Sequence, residues 1–236
     1  MPIKGLIFDF DGLILDTETA ELLSWKELFN SQHLEFPFKQ WCLCVGTSND
    51  AFDIYSYFGN RVNKGINLDE LFHGREKRMQ TLIHNMPALP GVHDLLIDAR
   101  TNGIRIAIAS SSPRPWVTAH LDRLGIRTYF DSIHTCEEVE EVKPHPDLYF
   151  HAIDALKLQP EEAAALEDSP NGIKAAKGAG LFCFAIPNSV TVHLDTSQAD
   201  ITLPDLKNLT ILKMSMLMDN KAGSMGIAVV GSRYGE

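Results

Sequence analysis

An apolar run, Gly5-Leu6-Ile7-Phe8, stops at two carboxylates one residue apart, Asp9 and Asp11, with Gly12 behind them. A short continuous apolar segment bounded this way reads as a strand buried on both faces of a parallel sheet. From Asp16 the period changes to that of a helix. Asp16 is placed to cap it, Glu18 falls in the first turn where the helix dipole favours an acid, and Leu22, Trp25 and Phe29 recur at helical spacing until Pro37. Further helices are predicted over 49–58 and 68–85, the second with Leu71, Phe72, Met79, Leu82 and Ile83 on one side. About seventy residues without a strand are too long for an ordinary crossover, so this stretch reads as an inserted helical domain returning at Leu89-Pro90-Gly91-Val92.

Beyond that turn the pattern alternates. A helix over 93–102 ends at Gly103, and a strand over 104–109 runs into Ser110-Ser111-Ser112. A helix over 116–124, a short strand over 132–135 and a helix over 147–156 follow, the last introduced by Lys143-Pro144-His145-Pro146. Then come a strand over 164–166 closing on Glu167-Asp168-Ser169, a helix over 172–179, a strand over 182–186 and a last short strand over 200–203. Such alternation predicts an α/β fold with a doubly wound parallel sheet and right-handed crossovers. The expected division is a core domain of residues 1–15 and 88–210, a helical insert of 16–87, and a tail of 211–236 that packs loosely.

Composition narrows the class. The 236 residues, 44% apolar and 22% charged, suit a soluble globular protein with ample core. No apolar segment reaches the roughly 18 to 20 residues that span a bilayer, and the chain runs from Met1 straight into its first strand. The expectation is therefore a cytoplasmic protein without a membrane partner, and a monomer. A net charge of −10 argues against nucleic acid while leaving room for a local pocket that holds one phosphate. Cys42 and Cys44 form a lone C-x-C pair without a second pair, so reduced thiols are expected rather than zinc. A P-loop kinase is excluded, since no G-x-x-x-x-G-K-[ST] occurs.

Three predicted strands end in polar groups: Asp9 and Asp11, Ser110, and Glu167 with Asp168, while Lys143 enters from a loop. In parallel sheets these ends meet at one edge, where ligands bind. Four carboxylates, a hydroxyl and an ammonium suit phosphoryl transfer, with a divalent cation held by Asp9, Asp168 and the backbone carbonyl of Asp11. Magnesium, which prefers hard oxygen ligands, is the natural choice.

Together these motifs resemble the haloacid dehalogenase superfamily, specifically its phosphatases and phosphomutases related to β-phosphoglucomutase. The resemblance covers about residues 3 to 205 and rests on Asp9-Phe10-Asp11-Gly12 with Asp16-Thr17-Glu18, Pro90-Gly91-Val92, Ser110, Lys143-Pro144-His145-Pro146-Asp147, and Glu167-Asp168-Ser169 with Asn171-Gly172. It implies a Rossmann-like core under an all-helical cap, Asp9 as the nucleophile that forms an aspartyl phosphate, and Asp11 as general acid and base. It further implies that Ser110 and Lys143 hold phosphoryl oxygens, that Asp168 and Glu167 secure the metal, and that Glu18, Glu21, Gly46, Thr47, Ser111 and Ser112 face the substrate. Where mutases of this kind carry a histidine the chain has Glu21, and Val45 and Asn49 replace basic residues near Gly46-Thr47. The expected function is a magnesium-dependent phosphatase acting on a small phosphorylated metabolite such as a sugar phosphate. A β-phosphoglucomutase-type phosphomutase is the alternative, and an idle phosphate-binding module a more distant one.

Overall fold

The computed structural model describes residues 3–45 and 52–230, with side chains to residue 221. Six parallel strands, β1 (Gly5–Phe8), β2 (Arg105–Ala109), β3 (Ser132–His134), β4 (Ala163–Glu167), β5 (Phe182–Ala185) and β6 (Ile201–Thr202), form one sheet in the order β3-β2-β1-β4-β5-β6. The strand order reverses at β1. Phe8 lies beside Ile108 on one side and Leu166 on the other, so Asp9 emerges at the switch point where such sheets bind ligands.

Alternation along the strands sorts the two faces by side-chain size. Leu6, Phe8, Ile106, Ile108, Leu166 and Phe184 pack on one face with α5 (Val92–Thr101) and α6 (Arg114–Arg123). Ala107, Ala109, Ala163, Ala165 and Ala185 line the other, where small residues let α7 (Asp147–Leu156) and α8 (Pro170–Gly178) sit close. β4 is longer than the three residues expected, because Ala163 and Glu167 also pair with neighbouring strands.

Between β1 and β2 the chain forms α1 (Thr17–Ser31), α2 (Phe38–Trp41), α3 (Ile54–Gly59) and α4 (Leu68–His84). Asp16 caps α1, accepting from the Thr19 backbone N–H at 3.1 Å. Asp53 caps α3 through Ser56 N–H at 2.9 Å, which sets its start at Ile54 rather than the expected residue 49; residues 49–51 lie outside the described ones. These helices share a separate aromatic core containing Trp25, Phe29, Trp41 and Phe58, as an inserted cap requires. Val190, from the loop after β5, is buried in that same cluster. The cap is also tied to the sheet domain by Thr19 Oγ1 and Ser189 Oγ at 2.6 Å, and by Asn171 Nδ2 donating to Val45 O at 3.1 Å.

The tail departs from expectation. Residues from Ile211 form a helix, α9 (Ile211–Val230), whose Ile211 and Met214 are buried in the core rather than loosely packed, because apolar positions three and four apart meet the sheet domain beside α5. Among the described residues no helix is long and apolar enough to cross a membrane.

Candidate active site

β1 delivers Asp9 to the floor of a cleft of about 430 Å³ that lies between the sheet edge and the cap. Asp9, Asp11, Ser110, Ser111 and Ser112 line it from the core, and Thr17, Glu18, Glu21, Tyr55 and Arg75 from the cap. Of the substrate-contact candidates, Glu18, Glu21, Ser111 and Ser112 thus share the cleft, whereas Gly46 and Thr47 lie outside the described residues.

Lys143, Glu167 and Asp168 are buried beside Asp9. Lys143 Nζ donates to Asp9 Oδ1 and, at 2.7 Å, to Glu167 Oε1. Glu167 Oε1 also accepts from the Tyr149 hydroxyl at 2.6 Å, and its Oε2 from Asp168 N–H at 3.2 Å. Glu167 therefore fixes the ammonium beneath Asp9. Its side chain packs so closely on the first turn of α8 that a Cβ at Gly172 would come within 2.1 Å of three carboxylate atoms, which explains the glycine there. Gly12 answers a similar demand: at φ +84° it faces Asp168 Oδ2 and Asn188 Nδ2, 2.4 and 2.7 Å from where a Cβ would stand.

Burial sets the electrostatics of this floor. It pushes the Asp9 carboxyl up to about 8; Lys143 opposes the rise and Glu167 adds to it. Asp168 is raised by burial first and then by Asp9 and Glu167. Burial depresses the Lys143 pKa, but Asp9 and Glu167 outweigh that and raise it. Glu18 and Glu21 are raised as well, both first by withdrawal from water; Glu21 then adds to the rise at Glu18, while Arg75 opposes it at Glu21. Three acids against one ammonium leave a net demand for positive charge. Ligand oxygens of Asp9, Glu167 and Asp168 lie within 4.8 Å of one another, so this buried donor set fits a hard divalent cation.

Asp11 is held differently. Its Oδ2 accepts from Ser112 Oγ at 2.6 Å and its Oδ1 from the Trp116 indole at 3.0 Å, so both oxygens face the cleft wall. Trp116 escaped the sequence reading, as did Tyr149 and Asn188. Asn188 Nδ2 donates to Asp168 Oδ2 at 2.7 Å and to Gly12 O at 3.1 Å, while its Oδ1 accepts from the Val190 and Thr191 N–H groups. It thereby joins an acid of the floor to the loop that docks into the cap. Its signal in the sequence was only its place just beyond the end of a strand on the ligand-binding edge.

Among the described residues, three buried polar atoms in the cleft lining have no hydrogen-bond partner: Thr17 Oγ1, Ser111 Oγ and Arg75 Nε. Buried polar groups are normally paired, so together they mark places where a polar ligand supplies the partner.

A Rossmann-like sheet with acids at its switch point, covered by a helical insert, defines a class of capped α/β enzymes. The family model for haloacid dehalogenase-like hydrolases matches residues 6–186, and the chain belongs to that family. It is 39% identical to the protein named "Putative phosphatase YhcW" of Bacillus subtilis (strain 168), over 92% of this chain and 97% of that one. To β-phosphoglucomutase of the same organism it is 31% identical, covering 78% and 83% of the two chains. The crystal structure of a CbbY mutant from Rhodobacter sphaeroides in complex with xylulose-(1,5)bisphosphate superposes with a TM-score of 0.68 at 30% identity, over 88% of this chain and 96% of that one.

Proposed function

We propose that this hydrolase is a magnesium-dependent phosphatase of a small phosphorylated metabolite, a sugar phosphate by preference, with residues 16–87 acting as the cap over the substrate. The observation that carries this reading is the buried Asp9–Lys143–Glu167 unit opening onto a cleft whose Ser111, Thr17 and Arg75 each present an unpartnered polar atom. A cleft of about 430 Å³ suits a metabolite rather than a polymer.

In the proposed reaction an oxygen of Asp9 attacks phosphorus, forming an aspartyl phosphate as the bond to the leaving oxygen breaks. Asp11 gives that oxygen a proton, then takes one from the water that attacks the aspartyl phosphate and releases inorganic phosphate. Asp11 must therefore leave its bonds to Ser112 and Trp116 when substrate enters. Lys143, Ser110 and Ser111 offer donors for the equatorial oxygens. Magnesium would be held by Asp9, Asp168 and the Asp11 backbone carbonyl with Glu167 behind, and when bound supplies charge neutralisation for carboxylates and phosphate. The names of the relatives, a phosphatase and a sugar phosphomutase among them, support the substrate class.

One observation favours a second reading, a phosphomutase of the β-phosphoglucomutase kind. Arg75 places a cation in the cap wall of the cleft, where it could grip a second phosphate. A panel of sugar and nucleotide monophosphates assayed with magnesium separates the two, because a phosphatase releases inorganic phosphate without isomerising its substrate. Isomer without phosphate would support the mutase, and the Glu21→His variant should then raise that activity. No turnover of any substrate by folded protein, together with no acid-labile phosphate trapped on Asp9, would remove both.

A further inference from the structure

At the edge of the sheet a second set of ligand atoms converges from three elements. His134 ends β3, Glu138 lies in the 3-10 turn Cys136–Glu138, His151 is on α7, and one ligand atom from each lies within 4.8 Å of the other two. The His134 side chain is only 13% exposed. Its Nδ1 stands 2.7 Å from Glu138 Oε2, so a neutral ring donates there and carries its lone pair on Nε2. That Nε2 is buried and, among the described residues, has no hydrogen-bond partner. The exposed His151 ring lies beside that of His134, with centroids 6.1 Å apart and planes at 66°.

Glu138 is anchored in turn, its Oε1 accepting from Arg114 Nη2 and from Thr135 N–H at 3.3 Å. A carboxylate held on one side, an imidazole oriented by it through Nδ1, an unpartnered Nε2 and a second imidazole close by form the arrangement seen when carboxylates orient metal-binding histidines. A surface ion pair would account for the contact between His134 and Glu138, but it leaves Nε2 unexplained.

We propose that His134 and His151, with Glu138 orienting His134, bind a borderline divalent ion of the zinc type at a site separate from the carboxylate floor. Imidazole nitrogens select zinc, nickel or copper, whereas the oxygens of Asp9 and Asp168 suit magnesium. An ion here ties β3 to α7. The backbone carbonyl of His134 accepts from Ser110 N–H at 3.0 Å and α7 carries Tyr149, so the tie braces two neighbours of the catalytic floor.

The test is calorimetric titration of the full chain with zinc while millimolar magnesium fills the oxygen site. Wild type should bind one zinc ion and melt at a higher temperature with it. His151→Ala, at an exposed position that leaves the fold intact, should weaken binding at least about tenfold, and Glu138→Gln by about 10- to 100-fold. Asp9→Asn should bind zinc as wild type does. Equal affinity in wild type and His151→Ala, loss of zinc binding in Asp9→Asn, or no zinc binding by wild type would each overturn the proposal. None of these readouts depends on the chain being a phosphatase.

Discussion

The two walls of the cleft are built from the same kinds of side chain, a cation, acids and an aromatic ring, yet they hold them differently. On the core wall Lys143, 1% exposed, is bonded to Asp9 and Glu167 and lies 5.2 Å from the centre of the Tyr149 ring. On the cap wall Arg75 stands 3.8 Å from Glu21, 3.3 Å from Ser24 Oγ and 4.3 Å over the Trp25 ring, and the Glu21 side chain is 33% exposed. One cation is locked between acids; the other is held by a long pair and a ring face. On the proposed function, the contrast separates chemistry from recognition. Bond making at phosphorus needs atoms held in place before the substrate arrives, while a recognising group can wait for the ligand to complete its contacts.

The sharpest way to break this contrast is to unmake the locked wall. Asp9→Asn keeps the shape but removes the proposed nucleophile, and turnover should fall by about 10⁴-fold or more with the melting temperature little changed. Lys143→Ala should also abolish turnover, but for a different reason. It leaves the buried Glu167 carboxylate, and Asp9 beside it, without their cation, a loss of about 3–5 kcal/mol when a buried pair is broken. Denaturant unfolding of both variants checks this. Equal stability in the two would show that the ammonium does not hold the floor together.

The next effect concerns protons. Burial keeps the Asp9 acid at about 8 against an ordinary value of 3.8, so between those pH values the folded state holds a proton that the unfolded chain releases. Without metal, this group's contribution to stability therefore falls as pH rises through that window. A cation that accepts the ionised carboxylates offsets the loss, and magnesium should raise the melting temperature by several degrees more near pH 8 than near pH 5. Scanning fluorimetry with and without magnesium decides it; a shift independent of pH would mean the ion binds elsewhere. The cap acids Glu18 and Glu21 titrate in the same direction, so Asp168→Asn is the control that isolates the floor.

The two walls also differed in how far they could be read from the residues. Asp9, Ser110 and Glu167-Asp168 were legible because each follows an apolar strand, and the ends of parallel strands share an edge whatever the loops do. Lys143 was legible through its motif, although only the fold shows that it reaches under Asp9. By composition Arg75 belongs with Lys77 and Arg78 to a basic, solvated helix face, yet the structure buries it. Its clue was present: Arg75 lies three residues after Phe72 and four before Met79, on the apolar stripe that turns inward. Asn188 and Trp116 carry no comparable pattern, since the partners that give them meaning lie in distant parts of the chain.

If Arg75 waits for its ligand, Arg75→Ala should raise KM by about 10- to 100-fold, the worth of a charge-assisted hydrogen bond, and leave kcat within a few fold. Steady-state kinetics on the best substrate of the panel is the measurement. A fall in kcat with unchanged KM would instead assign Arg75 to the chemistry and erase the division between the walls.

The smallest effect is the most discriminating, because Arg78 stands one turn from Arg75 on the same helix. It faces outward and forms a two-pronged pair with Glu27 at 2.9 and 3.0 Å, joining α4 to α1 where both side chains are about half exposed. Water and salt screen such pairs, so Arg78→Ala should change KM by less than about twofold and leave stability close to that of wild type. Both variants lose one positive charge from α4. Their difference in KM therefore cancels the general field of the helix and reports only the inward position of Arg75, and equal increases in KM would trace the effect to charge rather than to a specific grip on the substrate.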